Sequence, residues 1–184
     1  MLLLIRLEFP VVLRGAAGKM RRMKPVLRCL LLVSAWALTS VLAHASDAKK
    51  YAVGDTFAAF VTKDQHDQPF AYQGGARLVV VSFEMDTGKA ANGFLEKQGA
   101  DFLPRRNALF LSNIHGMPGI ARTFAMPKMR KYPHRILLAD AENFLARYPS
   151  QANHLTALSL DEKGVITAIR FVPKKEAAAA FAGN

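Results

Sequence analysis

The sequence predicts an α/β domain, a mixed central sheet flanked by helices, with an N-terminal β-hairpin. Three observations predict it. Residues 78–83, LVVVSF, form a near-continuous apolar run, the mark of a strand buried on both faces at the centre of a sheet. From there to residue 145, strand-like runs alternate with segments of helical period. Finally, residues 155–160 and 165–172 are two apolar runs joined by Asp161-Glu162-Lys163-Gly164, whose glycine supplies the left-handed position of a hairpin loop.

The 184-residue chain carries a formal net charge of +11, but the charge is uneven. Residues 1–45 hold seven Lys/Arg and one acid, leaving 18 basic against 13 acidic residues beyond them. Nucleic-acid binding loses its main support once that segment is set aside. The segment reads as a secretory signal. Met20-Arg21-Arg22-Met23-Lys24 and Arg28 are its basic region, residues 29–42 its apolar run, and Ala43-His44-Ala45 its cleavage site. The expected division is 1–45, an N-terminal extension plus signal peptide cleaved after Ala45, and 46–184, the folded domain. Residues 1–19 fit no usual signal, which makes Met20 or Met23 an alternative start. The expected location is periplasmic or secreted, in a Gram-negative bacterium. A membrane enters only through an uncleaved signal, because the apolar run is shorter than the ~18 residues of a spanning helix.

Cys29 is the only cysteine, so the expected mature chain has none. Thiol catalysis, a CxxC couple and a Cys-ligated zinc site are excluded for that chain. A domain of this size is stable without a disulfide.

In chain order, 56–62 and 70–72 flank the turn cluster Asp64-Gln65-His66-Asp67-Gln68-Pro69 and read as the opening hairpin. After the strand at 78–83, Met85-Asp86-Thr87-Gly88 reads as a sharp turn into a helix through Ala90, Ala91, Phe94 and Leu95. Residues 108–111 are a second buried strand. Pro118 is placed to begin a second helix, with Met117, Ile120, Ala121 and Phe124 on its inner face and Pro127 as its stop. Residues 136–139 are a third strand. Asp140 is placed to cap a short helix carrying Phe144 and Leu145. An Ala-rich helix over 174–182 closes the chain. The alternation predicts helices on both faces of the sheet.

Several stretches resemble the thioredoxin-like fold of peroxiredoxins and thiol:disulfide-interchange proteins. They are VGDTFAAFVTKDQHDQPFAY for the opening hairpin, RLVVVSFEMD for the strand before the active-site turn, HRILLADAENFLARYP, and LTALSLDEKGVITAIRFV for the closing hairpin. More narrowly, MDTGKAANGF with SNIHGMPGIARTFAMPKMRKYPHRILLAD is similar to a group of small exported bacterial proteins that carry the label FAD/FMN-containing dehydrogenase. Two features depart from the redox families. The turn Met85-Asp86-Thr87-Gly88-Lys89 has no cysteine, and the position before the closing hairpin, near His154-Leu155, has no proline. The resemblance therefore implies the fold without the catalytic elements, and fold alone does not imply function.

Met85, Asp86, Thr87, Gly88 and Lys89, with Asn113, His115 and Arg130 from neighbouring loops, form the candidate site for a small anionic ligand or a partner protein. Helix N-termini above the carboxyl ends of strands offer free N–H groups and a positive dipole end. The ordinary reading is that Asp86 or Thr87 caps the helix and Gly88 relaxes the turn. A second set, His115, Met117, Met126, Met129 and His134, has ligand types that suit copper. Methionine is also a common gap-filler in cores, and copper carriers of this fold use a cysteine pair. The basic cluster Lys128, Arg130, Lys131 and Arg135, with Arg122 behind it and Tyr132 beside it, could meet an acidic partner or anionic lipid, though solvated charge is the commoner explanation. Glu84 and Asp86 would share a face if they lay on a strand, as an acid/base pair does.

No GxGxxG supports a flavin, since Gly74-Gly75 precedes a strand, and neither GxSxG nor HExxH is present. No catalytic residue and no cofactor are predicted, and the lean is towards a non-enzyme. The reading is a redox-inactive thioredoxin-like accessory or binding module of the periplasm. The alternatives are a flavin- or copper-dependent redox protein using the same crevice, and a structural envelope protein that binds another protein.

Overall fold

The computed structural model describes residues 48–182. The expected signal segment, its cleavage point and Cys29 lie outside the described residues. Seven strands form one sheet: β1 (Phe60–Asp64), β2 (Pro69–Tyr72), β3 (Leu78–Ser82), β4 (Ala108–Asn113), β5 (Leu137–Ala139), β6 (His154–Leu160) and β7 (Ile166–Pro173). Their order across the sheet is β2-β1-β5-β4-β3-β6-β7. β3, β4 and β5 run parallel, while the β1–β2 and β6–β7 hairpins and the β3–β6 and β1–β5 pairs are antiparallel. The helices are α1 (Met85–Gln98), α2 (Phe102–Arg105), α3 (Gly119–Met129) and α4 (Ala177–Ala180), the last preceded by a 3₁₀ turn, Lys174–Glu176. A parallel β3–α1–β4 unit joined to an antiparallel β6–β7–α4 unit is the thioredoxin-like fold. Among the described residues no helix is long and apolar enough to cross a membrane.

The apolar run at 78–83 explains the centre. Val79, Val80 and Val81 are fully buried, and each such side chain contributes about 2 kcal/mol of burial. Alternation splits them between two cores. Val80 joins Ala91 and Leu95 of α1, Leu103 of α2, Met129 of α3 and Ala180 of α4. Val79 and Val81 face the opposite core with Tyr51, Phe57, Tyr72, Tyr148 and Ile166. All helical residues buried in these cores fall on the first face. The second face is covered by irregular chain, mostly aromatic, rather than by the helices expected on both.

The other differences have local causes. The first hairpin arm is 60–64, not 56–62, because Phe57 is buried in the aromatic cluster and Thr56 makes only an isolated bridge to Val165. α1 starts at Met85, so the stretch expected as a turn is already helical. α2 lacks a periodic apolar signal of its own and was not anticipated. Pro118 is the N-cap of α3 rather than its first residue, and Pro127 does not stop it. Pro127 gives up its own N–H, yet the ladder continues past it, with Arg130 N reaching Met126 O at 3.0 Å.

The inner face of α3 also differs. Met129 is buried, and Met117, Ala121 and Met126 are half-buried, while Ile120 and Phe124 are 79% and 75% exposed. Apolar residues nearly all round α3 specify no single face. No helix forms over 141–149. Asn143 takes a left-handed φ of 62°, and the segment becomes successive turns, with Phe144 N to Ala141 O at 3.2 Å and Ala146 N to Asn143 O at 2.9 Å. Asp140 pairs with Arg122 instead of capping.

Candidate functional site

The corner where β3 passes into α1 is built around Glu84, not Asp86 or Thr87. Glu84 is extended (φ −122°, ψ 154°) and serves as the N-cap. Its N–H meets Thr87 Oγ1 at 3.3 Å, and the Thr87 hydroxyl donates to Glu84 O at 2.9 Å. Thr87 is thereby locked inside and is fully buried. The Glu84 carboxylate reaches the loop before β6, where Asn153 N donates to both oxygens at 3.2 Å. Lys174 closes the ring: its N–H donates to Asn153 O at 3.1 Å and its Nζ lies 3.3 Å from Asp86 Oδ2. Lys89 Nζ is 3.7 Å from the other Asp86 oxygen.

Gly88 lies in the first turn of α1, in helical backbone. A Cβ there would meet Ser82 Oγ at 3.4 Å and Ser112 Oγ at 3.7 Å. Both are ordinary van der Waals distances, so the two buried serines, whose hydroxyls lie 3.3 Å apart, leave room for a methyl group. Gly88 is therefore demanded neither by close packing nor by a left-handed turn. Since Asp86 lies on the helix and Glu84 caps it, the two carboxylates do not share a strand face. Both stand at the helix N-terminus, where their charge opposes an incoming anion and answers the helix dipole themselves.

Asn113 and His115 are near this corner. Asn113 Nδ2 donates to Phe83 O at 3.4 Å, and Asn113 Oδ1 accepts from His115 N at 3.1 Å. His115 is exposed, and its Nδ1–H donates to Asp140 O at 2.9 Å. Arg130 is not brought to the corner. Its Nε donates to Gln65 O at 3.0 Å and its Nη2 pairs with Asp67 at 2.7 Å, tying α3 to the first hairpin turn. Arg135 lies 3.5 Å from Asp64, and Arg122 pairs with Asp140. Three of the five bases in the cluster are thus held by carboxylates. Among the described residues Lys128 and Lys131 make no ion pair.

The proposed metal-ligating set is dispersed among different tasks. Met117 and Met126 pack against the helix-side core and Met129 is buried within it. His134 is fully buried, stacks on Tyr132 at 5.3 Å and donates from Nε2 to Asn92 Oδ1 at 2.9 Å. Burial pushes its pKa down to about 4, so the ring is neutral. His115, by contrast, is anchored to the Asp140 carbonyl. No group of three or more His, Cys, Asp or Glu placed to hold a metal ion occurs among the described residues.

Sequence reasoning missed Glu84 as cap, Asn92, Asn153, Lys174 and Gln65. A capping-box signal was available in Glu84-Met85-Asp86-Thr87 only to a reader who let the acid stand in the cap position. Asn153 and Lys174 are distant in sequence and carry no local signal.

No sequence-family profile matches the chain. No curated protein matches it either. Among solved structures, the chain is similar to the thioredoxin domain of a thiol-disulfide oxidoreductase from Bacteroides vulgatus, at 14% identity over 71% of this chain and 96% of that one, with a TM-score of 0.48. It is also similar to StoA from Bacillus subtilis, at 15% identity over 68% and 97%, with a TM-score of 0.46. A peroxiredoxin-like protein from Aquifex aeolicus matches at 13% identity over 71% and 88%, with a TM-score of 0.44. These neighbours are thioredoxin-like thiol-disulfide oxidoreductases and peroxiredoxin-like proteins. The corner of this chain carries Glu84-Met85-Asp86-Thr87-Gly88-Lys89 and no cysteine.

Proposed function

We propose that this chain is a thioredoxin-like binding module without thiol chemistry, exported to the periplasm and engaging a partner protein at the carboxyl end of its sheet. The observation that carries the reading is an apolar rim at that end. Met85 opens α1 and is 54% exposed; Ile120 and Phe124, one turn apart on the outer face of α3, are 79% and 75% exposed. α1 and α3 both begin beyond the carboxyl ends of parallel strands, so their first turns lie at the same edge of the sheet. Exposed large apolar side chains that cluster are a feature of interaction sites. The polar ring of Glu84, Asn153, Lys174 and Asp86 is already satisfied within the chain, which favours a partner held by apolar contact over a small anion.

The test uses a photo-crosslinking residue at position 124, compared with one at Val53, which is 62% exposed and lies at the opposite end of the sheet, where Gly54 N bonds Ile166 O at the start of β7. In the native host, the expected result is one discrete adduct from position 124 that disappears with Ile120→Asp. Equal labelling from both positions overturns the rim as a docking edge. A flavin or copper ion copurifying at stoichiometric amount, seen by visible absorption or elemental analysis, would replace this reading with a cofactor-dependent one. Turnover of a dithiol or peroxide substrate would overturn its redox-inactive part.

A further inference from the structure

A cleft of about 800 Å³ lies not at the corner but at the opposite end of the sheet. It arises from a gap in strand pairing. β5 pairs with β4 only over Leu111, Ser112 and Asn113, and with β1 only at Lys63 and Asp64. The first half of β4, residues 108–110, therefore has no strand neighbour on that side. The slot left between β4 and the first hairpin is walled by Phe70, Tyr72, Leu109, Phe110 and His134. Its size and largely apolar wall are those of a small-molecule site.

Two residues that line this slot each carry a buried polar atom without a partner. The fully buried His134 uses Nε2–H on Asn92, and its Nδ1 accepts no hydrogen bond. The two ring nitrogens point in widely different directions, so Nδ1 is turned away from α1, which carries Asn92. The Tyr72 hydroxyl, on a residue 5% exposed, lies beside the Ala76 N–H without forming a full hydrogen bond. A buried polar group without a partner loses free energy that a ligand can return. The charged pair on the wall is already neutralised. Asp64 faces Arg135 at 3.5 Å and accepts the N–H groups of His66 and Gln68 at 2.9 and 3.1 Å. No uncompensated charge remains for an ionic ligand to answer.

We propose that this slot binds a neutral, mainly apolar small molecule bearing an O–H or N–H donor, which is directed to His134 Nδ1. Aromatic alcohols are the simplest members of that class. The proposal stands apart from the docking rim, which lies at the other end of the sheet, so either can fail without the other.

The experiment titrates the full chain, labelled with 15N-histidine, with 4-propylphenol and with its methyl ether, 4-propylanisole. The phenol is expected to bind saturably, and to bind about tenfold more tightly than the ether, the worth of one buried hydrogen bond. The His134 Nδ1 resonance is expected to move upfield with the phenol alone. Leu109→Trp, which fills the slot from β4, is expected to abolish binding while circular dichroism stays unchanged. Absence of phenol binding, equal affinity for phenol and ether, or an unmoved His134 resonance overturns the proposal. If Leu109→Trp does not fold, the phenol–ether comparison and the resonance of the unmodified chain decide.

Discussion

The Glu84 carboxylate holds the Asn153 backbone N–H with both oxygens, 3.2 Å each, across 69 positions of sequence. A helix cap on one unit of the fold thereby fastens the loop that opens the other. Asn153 sits in left-handed backbone at φ 61°, a conformation tolerated by Asn and Gly and penalised for most other side chains. Glu84→Ala removes a charge-assisted but solvent-accessible acceptor and is expected to cost about 1 kcal/mol in urea unfolding. Glu84→Gln, which keeps an acceptor oxygen, is expected to lose less. Equal losses for Ala and Gln would show that the Asn153 contact carries none of the effect.

His134 makes stability depend on pH. Its folded pKa, about 4, lies below the ordinary 6.5 because burial disfavours the charged ring. Between those values the unfolded chain binds the proton and the folded chain does not. The stabilisation is therefore complete above pH 6.5, falls as pH drops towards 4 and does not fall further below. The full span is worth at most about 3 kcal/mol. Phe110, Tyr132 and Asn92 surround the ring, and none is a counter-charge. Urea midpoints measured from pH 7.5 to 4 should fall less steeply for His134→Gln than for the natural chain. Parallel slopes would place the pH dependence elsewhere.

Gln65, 2% exposed, works as a staple. Its Nε2 donates to His134 O at 2.7 Å and its Oε1 accepts from Ile136 N at 2.8 Å. These bonds satisfy the backbone of residues 134–136 just where β5 fails to extend beside β4. Gln65→Leu keeps the volume but strands two buried backbone groups, and is expected to cost about 2–4 kcal/mol. Hydrogen exchange at the Ile136 amide should accelerate more than at the Val80 amide in β3. Uniform acceleration would mean global loss of stability without a local role.

Much of the frame was legible in the sequence. β3, β4 and the β6–β7 hairpin were readable because burial on both faces requires uninterrupted apolar runs, and because Gly164, at φ 77°, marks its turn. The start of α1 was misjudged because Asp86 and Thr87 are better-known caps than Glu84. The Asp140 segment misled for a similar reason: Asp140 is a good cap by type, yet Arg122 claims it and Asn143 breaks the helix. The face of α3 was unreadable because its apolar residues surround it.

The sequence alone determined the strand-rich α/β frame and a corner with no cysteine. Both depend on residue type and local pattern, which fold-level contacts do not alter. Only the tertiary structure decided which helix face is buried, that the helices crowd one side of the sheet, and that Glu84, Asn153, Lys174 and Asp86 meet. It also decided that His134, read as a candidate copper ligand, is a neutral interior ring on the wall of a slot. These outcomes depend on contacts between residues far apart in the chain, and no local propensity or periodicity encodes such pairings.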